Sequence, residues 1–220
     1  MKTDVIKKYA ESYDSFYLYD EEVIAESIAE LQRSYPHATF LYSVKCNPNK
    51  DVLHAIFSRG FGADAASAGE VKKAVEAGLT KDRIYYSAPG KTLADIKNTM
   101  DEAVLIADSL REVARIQQAA EERGIVLDIG LRVNPLFSYP DGDPMPAKFG
   151  IDEEDASELI KNNPNLHACI TRQVGTTLKD SVYAQMKWAI NILDLANEFE
   201  CKVSPLEIVY KKTGQTIYFR

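Results

Sequence analysis

The sequence predicts an α/β fold, a (β/α)8 TIM-type barrel that is incomplete at about seven strand–helix units. Three observations carry that expectation. Short apolar runs alternate with stretches of helical periodicity along most of the chain, the pattern of parallel strands joined by right-handed crossovers. Polar residues recur at or just past the C-terminal ends of those runs, namely Lys45, Asp64, Ser87, Asp108, Arg132, Asn134 and the His167 to Gln173 region, where a barrel builds its working face. Finally, Cys46-Asn47-Pro48-Asn49 follows a strand without the glycine-rich phosphate loop that an open doubly wound sheet usually carries.

In chain order, Ser15 to Tyr19 reads as a short strand, and Asp20-Glu21-Glu22 places acids where a helix N-terminus favours them. Ile24, Ile28 and Leu31 mark one face of the helix that follows. The alternation then runs strand 39–46, helix 50–58, strand 61–65, helix 68–78, strand 83–88, helix 92–100, strand 102–107 and helix 109–123. Gly60, Gly78 and Gly124 stand where three of these helices should stop, as left-handed caps. Strand 126–133, helix 152–162, strand 165–170, helix 179–199 and strand 203–209 complete the series, and Thr216 to Phe219 is a further segment suited to patching a sheet edge. The loop from Pro135 to Lys148 holds four prolines and an Asp-Gly-Asp turn, and its place above the barrel's working face favours a functional role. No linker or low-complexity tract divides the chain, so residues 1–220 read as one domain.

The chain has 220 residues, enough for a substantial core, with 33 acidic and 26 basic side chains and a net charge of −7. That balance, without any Lys/Arg block, disfavours nucleic acid and anionic membrane as partners. The first residues lack the apolar core of a signal peptide and no apolar run reaches the length of a membrane span, so the expectation is a soluble, cytoplasmic protein. Cys46, Cys169 and Cys201 are odd in number and show no metal-ligand spacing, so reduced thiols are expected and no metal site.

Phe40-Leu41-Tyr42-Ser43-Val44-Lys45-Cys46-Asn47-Pro48-Asn49 ends an apolar strand on a lysine. Taken alone, Lys45 either snorkels past the strand end to water or is held dry to form an imine with a carbonyl compound. Four further motifs follow in order: Phe61-Gly62-Ala63-Asp64-Ala65-Ala66-Ser67-Ala68-Gly69-Glu70, Tyr86-Ser87-Ala88-Pro89-Gly90-Lys91, Leu131-Arg132-Val133-Asn134-Pro135 and Lys148-Phe149-Gly150-Ile151. Together the five resemble the fold-type III pyridoxal-phosphate enzymes, the group of ornithine, diaminopimelate and carboxynorspermidine decarboxylases related to alanine racemase. The resemblance is dense from Phe16 to Phe149 and thins after about residue 165.

The resemblance implies pyridoxal 5'-phosphate as cofactor and decarboxylation of a basic or diamino acid through an internal aldimine on Lys45. It places Asp64 and Arg132 in the cofactor pocket, with Ser67 and Glu70 supporting that wall. Plainer readings stand beside these: Asp64 and Ser67 as helix N-caps, Arg132 and Lys91 as solvated rim charges, and Phe149 as a core residue closing a loop. The family's cofactor-stacking histidine aligns with Cys169, while His167 stands two residues earlier, and Arg172 aligns with a serine near the phosphate. After the seventh strand the family's run of phosphate-binding glycines is reduced to Gly214, with Lys211 and Lys212 beside it. The eighth strand and the family's C-terminal β-domain have no counterpart in the 220 residues. The resemblance therefore also admits a catalytically impaired relative that binds the cofactor or a partner protein without turnover. An amino-acid racemase is the sibling alternative, and the expected partner is a homodimer mate or a second chain supplying the missing half.

Overall fold

The computed structural model describes residues 3–134, 149–163, 168–170, 183–192 and 194–219. The chain divides into two compact units, Met1–Ile106 with Glu112–Ile129, and Ala107–Arg111 with Gly130–Arg220.

The first unit begins with α1 (Thr3–Ala10), which buries none of its residues. The strand expected at Ser15–Tyr19 does not form. No strand among the described residues pairs with this stretch, and Tyr17 stays 90% exposed. Helix α2 (Glu21–Ser34) starts where the acids predict, with the Asp20 carboxylate accepting from the Glu22 N–H. Four parallel strands follow: β1 (Leu41–Ser43), β2 (Gly62–Ala65), β3 (Ile84–Tyr86) and β4 (Val104–Ala107). The helices between them are α3 (Lys50–Phe57), α4 (Ala68–Glu76) and α5 (Leu93–Thr99), and α6 (Leu110–Arg123) comes after β4. This is the alternation expected from the sequence, and its strands are short because several of their predicted residues serve as turns.

Burial explains the apolar runs. Val44, Ala63, Ala65, Val71, Ala74, Ile84, Ile96 and Leu105 are all buried, the strand residues against the helices that cover them. Helix ends follow the predicted glycines: Gly78 and Gly124 take positive φ, and the next residue's N–H reaches back to Ala74 and Ala120 carbonyls respectively.

The second unit departs from the expected alternation. Strand 126–133 shrinks to β5 (Gly130–Leu131) and β6 (Val133–Asn134); β6 pairs in parallel with β7 (Ile151–Asp152), which leads into α7 (Glu153–Asn162). Gly150, φ +104°, has no alternative here, because a Cβ would stand 2.9 Å from the Asn134 nitrogen and 3.2 Å from the Arg132 carbonyl oxygen. Strand β8 (Ala168–Ile170) and helix α8 (Ala184–Ile192) come next.

The helix expected over 179–199 ends early for a local reason. Asp194 adopts φ 55°, and the N–H groups of Asp194 and Leu195 bond to the Asn191 and Ile190 carbonyls, a Schellman-type stop. The released residues build β9 (Phe199–Val203), which forms an antiparallel hairpin with β10 (Leu206–Tyr210). The predicted edge patch is β11 (Thr216–Phe219), and it lies inside a four-stranded sheet ordered β8-β11-β10-β9, parallel to β8 and antiparallel to β10. The single parallel strand expected at 203–209 is thus one arm of a hairpin, since Pro205 has no N–H to continue a ladder and a two-residue turn forms there instead. Tyr183, Ile190, Ile208 and Phe219 form this unit's core.

Candidate cofactor site

Strands β1, β2 and β3 end side by side and deliver a group of polar side chains at their C-terminal ends. Ser43 closes β1 and stands opposite Asp64 in the ladder, and Lys45 follows two residues later in a single 3-10 turn, Val44–Cys46. That turn replaces the last part of the strand expected at 39–46. Val44 is completely buried beneath it, while Lys45 is exposed and its amine makes no hydrogen bond or ion pair among the described residues. Of the two readings open for Lys45 from sequence, this exposure is that of a lysine reaching water past the strand end, not of an amine held dry.

Asp64 is half-buried in β2 and accepts from two hydroxyls. Ser87 Oγ donates to Oδ1 at 2.5 Å and Ser43 Oγ to Oδ2 at 3.4 Å. The carboxylate is therefore tied to both neighbouring strands and does not cap α4. Capping falls to Ser67, whose Oγ accepts from the Glu70 N–H, while the Glu70 carboxylate accepts from the Ala66 N–H.

Lys91 is the clearest correction to the sequence reading. The plainer reading of it, a solvated rim charge, does not hold, because it is 1% exposed. Its Nζ donates to the Ala88 and Ile106 carbonyls and to Glu112 Oε2 at 3.0 Å, and its N–H donates to Glu112 Oε1 at 3.0 Å. The ammonium also sits 5.0 Å from the Tyr86 ring centre. Burial, and then the negative charges of Asp95, Glu112 and Glu70, push the Tyr86 phenol above its ordinary range, with the Ala68 backbone opposing them. Sequence reasoning missed Glu112. The signal was its register with Ile116 and Ala119 on the buried stripe of α6, where an acid requires a partner.

In the second unit, Arg132 is fixed by its backbone, donating its N–H to the Ala107 carbonyl and accepting from the Ile151 N–H. Its guanidinium lies 3.4 Å from Asp108 and 5.0 Å from the centre of the Phe149 ring. Phe149, expected in the core, is 43% exposed, because its ring lies under the guanidinium instead of packing inward. Cys169 lies in β8, in register with Tyr218. His167 and Arg172 lie outside the described residues. Gly214, φ +76°, is in the turn between β10 and β11, its N–H donating to the Tyr210 carbonyl, and Lys211 Nζ donates to the Asn197 carbonyl.

A lysine just past β1 and a carboxylate at the end of β2 thus stand at the C-terminal ends of adjacent parallel strands. Residues 21–208 match the family model of the pyridoxal-dependent decarboxylase pyridoxal binding domain. The chain belongs to that family, whose cofactor is pyridoxal phosphate and whose members decarboxylate amino acids. It is 29% identical over 154 residues to diaminopimelate decarboxylase of Helicobacter pylori, covering 66% of this chain and 38% of that protein. To L-glutamyl-[BtrI acyl-carrier protein] decarboxylase of Niallia circulans it is 27% identical over 192 residues, covering 80% and 44%.

Among solved structures, a point mutant of the Helicobacter pylori diaminopimelate decarboxylase complexed with L-lysine superposes with a TM-score of 0.69 at 24% identity, over 86% of this chain and 53% of that one. The arginine decarboxylase of Paramecium bursaria Chlorella virus gives 0.65 at 21%, over 88% and 53%. These likenesses show the fold, the N-terminal part of the decarboxylase barrel. The chain spans less than half the length of the curated relatives it matches. Among the described residues no helix is long and apolar enough to cross a membrane.

Proposed function

We propose that this chain holds pyridoxal 5'-phosphate on Lys45 and serves the decarboxylation of a basic or diamino acid. The observation that carries the reading is the match of residues 21–208 to the pyridoxal binding domain, within which Lys45 stands just past β1 with an amine that an aldehyde can reach. The residues present fit the group: an accessible amine for the aldehyde and, at the end of the adjacent strand, a carboxylate that the family resemblance assigns to the cofactor pocket. Bound there, the cofactor supplies an electron sink for the electron pair left when an amino acid loses carbon dioxide.

This chain's residues bind and orient. Lys45 would hold the aldehyde-bearing group and release it to the substrate amine. Arg132, backed by Asp108 and stacked on Phe149, presents a cation with part of its guanidinium open to solvent. Ser67, His167, Cys169 and Gly214 complete the proposed cofactor-binding set by family resemblance. The basic or diamino substrate follows the names of the relatives, diaminopimelate decarboxylase above all. More than half of each curated relative reported above lies outside the shared segment, so turnover is proposed for the whole protein or for this chain with a partner, a second copy or another chain, in the cytoplasm.

A second reading, cofactor binding without turnover by these residues alone, is favoured by the C-terminal sheet. There Gly214 and Lys211 are engaged within a hairpin and its flank, where the sequence reading had placed phosphate contacts. Titration with pyridoxal 5'-phosphate tests both. A visible absorbance band should appear in the wild type and vanish in Lys45→Ala. Absence of the band in the wild type would sink both readings. Where the band forms, carbon dioxide release from diaminopimelate, ornithine and lysine separates enzyme from binder.

A further inference from the structure

Asp64 is held more tightly than a strand-end carboxylate requires. It is half-buried and open to water on one side, so solvation alone would satisfy it. Instead each oxygen accepts from a different neighbouring strand: Oδ1 from Ser87 at 2.5 Å and Oδ2 from Ser43 at 3.4 Å. Both donors ride on ordered backbone. Ser43 is in the β1–β2 ladder opposite Asp64, and the Ser87 N–H bonds to the Ala65 carbonyl just past the β2–β3 ladder. A carboxylate gripped from both sides cannot rotate about its Cα–Cβ or Cβ–Cγ bond without breaking one of the two bonds. The Ser87 bond is of the strong charge-assisted kind at the tight end of the hydroxyl range, whereas the 3.4 Å Ser43 contact lies beyond that range and is weak.

We propose that Ser87 and Ser43 are positioning residues that hold the Asp64 carboxylate in one orientation at the strand ends, as a pre-oriented anion for the cofactor pocket proposed above. The inference rests on the reading of Lys45 given above. It adds two hydroxyls whose effect passes wholly through Asp64. Ser87 is the principal member, because its bond is nearly an ångström shorter, and Ser43 is the weaker second tether. Pre-set orientation matters because a charge that need not reorganise stabilises its partner more than one that must be recruited from solvent.

The test has a cofactor-free arm and a cofactor arm. In the unliganded full chain, three-bond scalar couplings report whether Asp64 occupies one side-chain rotamer. The wild type and Ser87→Thr should show one rotamer, and Ser87→Ala an average over several. In the second arm, titration of the visible band with pyridoxal 5'-phosphate should show about tenfold weaker retention for Ser87→Ala, a smaller loss for Ser43→Ala, and near wild-type retention for Ser87→Thr. Far-UV circular dichroism of each variant confirms folding, and rescue by threonine separates loss of the hydroxyl from loss of packing. A single Asp64 rotamer in Ser87→Ala, or a band titration identical to that of the wild type, overturns the proposal while leaving Lys45 as the attachment point. A wild-type chain that forms no band overturns the parent reading and this role with it.

Discussion

Replacing Glu112 with leucine removes the counter-charge of a lysine that has no access to water. The Lys91 side chain is 0% exposed and that of Glu112 2%, and two hydrogen bonds of 3.0 Å join them, one from Nζ and one from the Lys91 N–H. In Glu112→Leu the ammonium keeps the Ala88 and Ile106 carbonyls but no anion, and the Lys91 N–H loses its acceptor. Breaking a buried pair from one side destabilises by about 3–5 kcal/mol. The two remaining carbonyl acceptors place the expected loss at the lower end, about 3 kcal/mol, a large share of a typical domain's stability. Urea unfolding followed by circular dichroism should therefore show a lower midpoint with an unchanged slope. The double variant Lys91→Met with Glu112→Leu should recover most of the loss, since a well-packed apolar pair of similar volume replaces buried ions at little net change. A loss below about 1 kcal/mol in Glu112→Leu would refute the claim that this pair is mutually dependent in a dry site.

Three further outcomes are expected. Thr92→Ala removes the capping box of α5, in which the Thr92 hydroxyl and N–H both bond to Asp95, and should lower stability by about 1 kcal/mol in the same assay. Those bonds from Thr92 hold the Asp95 carboxyl below its ordinary range, with desolvation opposing them, so its contribution is complete above about pH 4 and fades as pH falls through the lowered value. The wild-type advantage over Thr92→Ala should accordingly shrink in acid, and an advantage that grows there would contradict the assignment. Asp194→Gly relieves the left-handed conformation at the end of α8 and should raise stability by up to about 1 kcal/mol, seen as a higher thermal midpoint. Gly150→Ala drives a methyl group into the Arg132–Asn134 backbone at a positive φ and should destabilise by about 1–3 kcal/mol, the largest effect of any single methyl group proposed here.

Much of the first unit was legible in the sequence because its signals are local. Strands β2 to β4 and helices α3 to α6 follow from apolar periodicity, and Gly60, Gly78 and Gly124 marked helix ends that the structure places with positive φ. Lys45, Asp64 and Arg132 could be selected by their position after apolar runs. The partners of these residues could not. Nothing local says that the Asp64 carboxylate meets Ser43 and Ser87, 21 and 23 residues away, or that Lys91 is buried against Glu112, 21 residues on. Phe149 looked like a core residue because hydrophobicity was its only visible property, whereas the structure lays an arginine over its ring.

The second unit shows where periodicity misleads. A continuous helix over 179–199 was a fair reading of composition, but the Asp194 stop depends on φ at one residue, and the strand that follows is held by a hairpin partner. Thr216 to Phe219 carried strand propensity without an address; pairing with β8 and β10 gave it one in the interior of a sheet. By itself, then, the sequence determined the α/β class, most element positions in the first unit, the family and the lysine at the end of β1, because each is written in short-range pattern. The tertiary structure alone decided which charges are buried in pairs, which carboxylate is gripped by two hydroxyls and which strands run antiparallel, because those depend on contacts between segments whose meeting is a property of the folded chain.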